Sequence, residues 1–252
     1  GADNNLGATT GQLIFDGGTL NATNTFILNS NRGITLNAGN GTIEVDGGQT
    51  LTYDGIAAGT GNLIKEGTGT LVLGGANTYS GGTTVTAGTL TGDTTSLQGN
   101  ITNNATLTFD QGVAGTYSDV ISGTGNLVKD GGGNVTFSGS NTYSGATNIN
   151  AGTLSLGGNN VLSDDTAVTV AGGAIFDLAN NDDTVGSIAG GGDITLGSGA
   201  LTAGGDNTDT NFSGAISGTG TGSFTKAGTD TLTLEGNNTY SGGTTVSDGT
   251  LD

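Results

Sequence analysis

Apolar and small polar residues alternate along most of the chain in bursts of a few positions. Leu13-Ile14-Phe15, Phe26-Ile27-Leu28, Ile34-Thr35-Leu36, Ile43-Glu44-Val45, Thr70-Leu71-Val72-Leu73, Leu107-Thr108-Phe109, Val168-Thr169-Val170, Ile194-Thr195-Leu196 and Thr231-Leu232-Thr233-Leu234 are examples, and most are closed by Gly, Asn or Asp. A period of two residues belongs to a β-strand, whose successive side chains point to opposite faces, and the closing residues supply turns. The bursts recur roughly every 8 to 10 residues. No window carries the 3.6-residue period of an amphipathic helix, and strong helix formers are scarce, so helix content is expected to be close to nil.

Three stretches are copies of one another. Residues 59–90 read GTGNLIKEGTGTLVLGGANTYSGGTTVTAGTL, residues 123–154 read GTGNLVKDGGGNVTFSGSNTYSGATNINAGTL, and residues 220–251 read GTGSFTKAGTDTLTLEGNNTYSGGTTVSDGTL. They align without a gap. Regularly spaced short strands suit either a β-sandwich or a parallel β-helix. Internal repeats, together with abundant Thr and Asn whose side chains form ladders between stacked rungs, favour the solenoid. One continuous β-solenoid over residues 1–252 is expected. At about 20 to 25 residues per rung it would make roughly ten to twelve rungs spaced about 4.8 Å apart.

The pattern GTGxLxKxGxGxLxLxGxNTYSGxTxVxxGTL resembles the passenger-associated repeat of bacterial autotransporters. The flanking Val185-Gly186-Ser187-Ile188-Ala189-Gly190, Leu196-Gly197-Ser198-Gly199-Ala200-Leu201 and Phe212-Ser213-Gly214-Ala215-Ile216-Ser217-Gly218 are similar to segments that accompany it. The resemblance implies a right-handed parallel β-helix displayed outside a Gram-negative cell. It implies no particular activity, because the repeat occurs in large surface proteins of many kinds.

Composition narrows the chemistry. The 252 residues include 53 Gly and no Pro, Cys, Met, Trp or His, with 4 basic and 22 acidic residues and a net charge of −18. Without His or Cys there is no Ser-His-Asp triad, thiolate nucleophile, zinc set or redox pair. Four dispersed cations, Arg32, Lys65, Lys129 and Lys226, cannot neutralise a run of phosphates, which argues against nucleic acid and against an anionic membrane. No stretch approaches the roughly 20 apolar residues of a membrane span, and no basic region precedes an apolar one at the start. Low basic content and abundant Asp suit an exported, solvated surface.

Carboxylates are the one titratable set numerous enough for catalysis. Asp164-Asp165 and Asp182-Asp183, with Asp206 and Asp209 nearby, are the candidates. Neighbours on a strand face opposite ways, so a sequence pair makes a poor acid/base dyad. Turn or solvated loop is the favoured reading, calcium at Asp164, Asp165, Asp182 and Asp183 comes second, and catalysis comes last. Gly190-Gly191-Gly192-Asp193 matches the calcium-binding nonapeptide code only in part. The glycine runs at 131–133 and 190–192 lack the following helix that a phosphate loop requires.

Each copy contains NTYSG, at Asn77 to Gly81, Asn141 to Gly145 and Asn238 to Gly242. The structural reading is preferred to sugar stacking. Asn77, Asn141 and Asn238 start a turn, Gly81, Gly145 and Gly242 take positive φ, and Tyr79, Tyr143 and Tyr240 lie over the corner with hydroxyls solvated or bonded to backbone. Lys65, Lys129 and Lys226 occupy equivalent positions and read as charges placed among carboxylates. Arg32, as the lone arginine, makes no substrate clamp.

The expected protein is a non-enzymatic extracellular scaffold or adhesive segment with no cofactor. The alternative is a carbohydrate-binding or carbohydrate-active β-helix. Partners would be further copies, end to end or laterally, and host or matrix glycans or proteins. Neither end reads as a cap, so the solenoid is expected to continue past both, covalently or by stacking.

Overall fold

The computed structural model describes residues 3–252. They form two compact units, one within residues 1–110 plus 119–125 and the other from residues 111–118 plus 126–252. The described chain is all-β apart from a 3₁₀ turn at Asp3–Leu6, and its strands pair in parallel. Each unit is a β-solenoid. The first stacks up to six described strands in one sheet, and the second up to seven.

In the first unit, strands Thr50–Tyr53, Thr70–Leu73, Thr89–Gly92 and Thr106–Asp110 stack in register. Leu51 faces Leu71, Leu71 faces Leu90 and Leu90 faces Leu107, all four fully buried. A second sheet of this unit places Gly41–Val45, Leu63–Glu66, Thr83–Val85 and Ile101–Asn103 side by side. In the second unit the column Val135, Leu154, Phe176, Ile194, Ile216 fills the same role. Period-two alternation therefore becomes columns of identical facing. Inward Leu, Ile, Val and Phe form a narrow core, outward Thr, Ser and Asn form the surface, and stability accumulates turn upon turn.

One turn takes between 17 residues, as from Leu90 to Leu107, and 25, as from Phe26 to Leu51. The lower end is tighter than the 20 to 25 expected, because corners such as Asn104-Ala105 need only two residues between strands. Arg32 is fully buried and ties down residues 3–11. Its Nε donates to Asp3 Oδ1 at 2.9 Å, and its Nη atoms donate to the carbonyls of Gly11, Leu6, Gly7 and Asp3. The acceptors are mostly main-chain carbonyls, which leave no mark in side-chain pattern.

Candidate functional site

The chemistry-bearing residues singled out above lie mostly inside the coils. Lys65, Lys129 and Lys226 are buried, which departs from their reading as charges placed among carboxylates. Each occupies an inward column. Lys65 stands between Ile43 and Val85, Lys129 beside Ile149, and Lys226 between Ala203 and Val246. The aliphatic stem continues the apolar stack, and the ammonium reaches the carbonyls of the following turn. Lys65 Nζ donates to Glu66 O and Gly67 O at 2.7 Å and to Ala87 O, one turn on, at 3.0 Å. Lys129 repeats this with Asp130 O, Gly131 O and Ala151 O.

Three donors thus meet three carbonyls at a tight corner. Burial pulls the Lys65 ammonium down to about 8. In the third copy Nζ still meets Ala227 O and Gly228 O, and its third contact is a carboxylate, Asp230 Oδ1 at 2.7 Å.

The NTYSG residues also make turn-to-turn contacts, and they differ from expectation in three ways. Asn77 bridges three turns, since its Oδ1 accepts from Ala57 N and its Nδ2 donates to Ser96 O, both at 2.7 Å. Asn238 Oδ1 accepts from Ile216 N in the same manner, and Asn141 Nδ2 donates to Gly139 O and Val161 O. The tyrosine hydroxyls bond a threonine four residues on, with Tyr79 to Thr83 at 2.8 Å, Tyr143 to Thr147 at 2.5 Å and Tyr240 to Thr244 at 2.6 Å. They are therefore not primarily solvated or backbone-bonded. Tyr79 and Tyr143 are buried, and burial raises both phenols.

Gly81 and Gly242 do not take positive φ; that belongs to the following Gly82 in the first copy. A Cβ at Gly81 would fall 2.3 Å from the Gly61 carbonyl carbon, and one at Gly242 would fall 2.4 Å from Gly222 O. Close approach of neighbouring turns, not handedness, requires these glycines. Gly145 likewise lies outside the left-handed set.

The two Asp pairs separate. Asp164 and Asp165 are exposed and border an open depression with Asn141, Thr142, Asn160, Leu162 and Ser163. Asp182 is exposed and accepts from Ala200 N, whereas its neighbour Asp183 points inward and is 2% exposed. The solvated-turn reading therefore fails for Asp183. Its Oδ2 accepts from Leu162 N at 3.1 Å and Val161 N at 3.3 Å, and its Oδ1 from Thr184 N at 2.8 Å. Loss of solvation pushes its carboxyl up to about 6, with the Asp164 charge adding and the three N–H groups opposing. Asp206 accepts from Ser187 Oγ, and Asp209 from Thr231 N. Among the described residues no three of His, Cys, Asp or Glu gather as a metal set.

A sequence signal could have placed the lysines and Asp183. Each stands two residues from a buried apolar partner on the same strand: Leu63 with Lys65, Leu127 with Lys129, Phe224 with Lys226, and Val185 with Asp183. Period two puts both members of each pair on one face.

Comparison with known proteins adds three findings. Residues 63–91, 127–156 and 224–252 match the passenger-associated-transport-repeat family. The adhesin BmaC autotransporter of Brucella suis biovar 1 (strain 1330) is 39% identical over 144 residues, which is 54% of this chain and 4% of that protein. The chain thus spans a small fraction of the length of this curated relative, and no solved structure matches it.

Proposed function

From a chain that carries three autotransporter passenger repeats, placed outside the cell at the surface of a Gram-negative bacterium, we propose a non-enzymatic role as a scaffold within an adhesive passenger. The observation that carries this reading is where the repeated residues lie. Lysine, asparagine, tyrosine and glycine recur in every copy, and in the first two copies their side chains serve contacts within and between turns. Repetition of that kind builds length, and length projects a surface away from the cell.

The partner of the relevant surface is a host or matrix glycan or protein, and the likeness to an adhesin supports this. Further copies of the chain are a second class of partner, whose approach is opposed at neutral pH by the net charge of −18. The test is to immobilise the 252-residue chain on glycan and matrix-protein arrays and to incubate it in parallel with a polysaccharide panel. Retention of defined spots without release of sugar products supports the reading. Product release would replace it with a carbohydrate-active β-helix, and retention of nothing would remove the adhesive part.

A further inference from the structure

The first two repeats are followed by corners that differ in kind. After the first copy, residues 93–100 consume their own polar groups. Asp93 Oδ1 accepts from Thr95 N, Thr95 Oγ1 and Ser96 N, Ser96 Oγ accepts from Asp93 N, and Gln98 Nε2 donates to Thr95 O. After the second copy, residues 157–166 do the opposite. Asn160, Ser163, Asp164 and Asp165 of this corner, with Thr142 of the repeat itself, border a depression of about 370 Å³ over the buried Leu162. None of these five bordering side chains makes a hydrogen bond within the described residues. A volume of that size falls within the range of small-molecule sites, about 300–1,000 Å³.

The main chain of this corner, by contrast, is fixed from both neighbouring turns. Asn141 N and Nδ2 both donate to Val161 O, and Asp183 Oδ2 accepts from Val161 N and Leu162 N. Thr166 Oγ1 closes the corner on Gly145 O. The Asp183 contact is held at a cost in stability, since loss of solvation and then the Asp164 charge push its carboxyl up to about 6. A corner that is rigid in its main chain and unsatisfied in its side chains is arranged to meet a partner from outside, because its ordering entropy is lost on folding and not on binding.

The bordering groups select the partner. Thr142, Ser163 and the Asn160 amide both donate and accept, and the two carboxylates accept. A cation would use the acceptors alone and leave the amide N–H groups facing it. An anionic ligand would meet two carboxylates. Sugar hydroxyls donate and accept, which matches the whole set. We propose that this depression binds one uncharged sugar residue of a glycan. The proposal rests on the adhesive reading above and places the contact of that surface. Asp164 and Asp165 accept from sugar hydroxyls, and the Asn160 amide donates to a sugar oxygen. No aromatic ring borders the depression, so one site binds weakly, and firm attachment comes from many chains presented together.

The test titrates the 252-residue chain with methyl α-mannoside, methyl β-galactoside, methyl β-glucoside and N-acetylglucosamine, and separately with calcium and with agmatine, a free guanidinium. Backbone amide signals of residues 160–165 are followed by NMR. At least one sugar is expected to shift them to saturation. Asn160→Ala and Asp165→Ala are expected to weaken this binding about tenfold or more with melting unchanged. Asn37→Ala, at an exposed position of the first unit, is expected to leave it unaltered. No shift with any of the sugars, shifts with calcium or agmatine alone, or Asn160→Ala and Asp165→Ala variants that bind as the parent does would overturn the proposal. Glycan-array spots that both variants retain at the parent level would also overturn it while leaving the adhesive reading in place. A saturable sugar shift in a chain that retains nothing on the arrays would support the site and remove the adhesive reading alone.

Discussion

Lys226 Nζ lies 2.7 Å from Asp230 Oδ1, with both side chains excluded from water. The other two copies hold the same lysine without an acid, since Gly69 and Gly133 stand where Asp230 stands. There the third acceptor is a carbonyl of the following turn. Asp230 therefore replaces a neutral acceptor with a charged one, and its Oδ2 is buried without a hydrogen bond.

Removing the lysine would strand that carboxylate. Lys226→Met is expected to cost about 3–5 kcal/mol, the range for breaking a buried pair from one side. Asp230→Gly restores the arrangement of the other copies and removes an oxygen that has no partner, so its cost is expected to stay at about 1 kcal/mol or less. Denaturant melts of the two variants should differ accordingly. Equal losses would show that the pair is not held differently from the carbonyl-bound lysines.

Asp183 gives a pH dependence of defined sign. Its carboxyl sits at about 6 when folded, above its ordinary value of 3.8. Between those two values the folded chain binds the proton and the unfolded chain does not, so this group's contribution to stability rises as pH falls from about 6 towards 3.8. The Asp164 carboxylate and the Tyr143 phenol are the titratable groups that interact with it. Asp183→Asn abolishes the proton exchange. The parent is therefore expected to gain on the variant by about 2–3 kcal/mol between pH 7 and pH 4. Melting curves of both chains at each pH measure the difference, which also cancels the general relief of acidic repulsion. A constant gap would sink the assignment of Asp183 to the interior.

Much of the solenoid is legible because alternation and register coincide. Leu90 and Leu107 each stand between two threonines in sequence and Leu71 between a threonine and a valine, and the three stack on one another in space. Lys65 obeys the same alternation, yet its charge argues for the surface. What decides its burial is a ring of carbonyls, and carbonyls are the same for every residue type. The Asn77 contacts are hidden for a related reason, because its partners are the main chain of Ala57 and Ser96, about one turn away on either side. Thr50, Thr70, Thr89 and Thr106 are each plain in the sequence, but only the register of the turns, 17 to 20 residues apart here, reveals that they align in one column.

Glycines separate by what surrounds them. A methyl group at Gly81 would collide with the Gly61 carbonyl carbon at 2.3 Å and with Asn62 N at 2.5 Å, both main-chain atoms of the turn beneath. Gly172 has nothing within 4 Å and no positive φ. Gly81→Ala is expected to cost about 2 kcal/mol or more through the forced shift of a whole turn. Gly172→Ala is expected to leave stability unchanged or raise it by about 0.4–1 kcal/mol by restricting the unfolded chain. Thermal melts of the two variants test this contrast, and a Gly81→Ala protein as stable as the parent would mean that the turns are not in contact there.

Asn77 offers the sharpest test of how one turn is fastened to the next. Its side chain is 3% exposed, accepts from Ala57 N and donates to Ser96 O, so it joins the turn before its own to the turn after. Asn77→Ala would leave one buried N–H and one buried carbonyl without partners, at about 1–3 kcal/mol each. Asn77→Asp keeps the acceptor, but it turns the second contact into a carboxylate oxygen facing a carbonyl and adds a buried charge, so it is expected to destabilise at least as much at neutral pH. Asn237, one residue before the equivalent Asn238, is exposed, and Asn237→Ala is expected to lie within about 0.5 kcal/mol of the parent. Amide hydrogen exchange reads the effect locally. Protection of the Ala57 N–H should fall in Asn77→Ala and stay at the parent level in Asn237→Ala. Unchanged protection at Ala57 in the first variant would mean that the asparagine is not what holds the turns together at that corner.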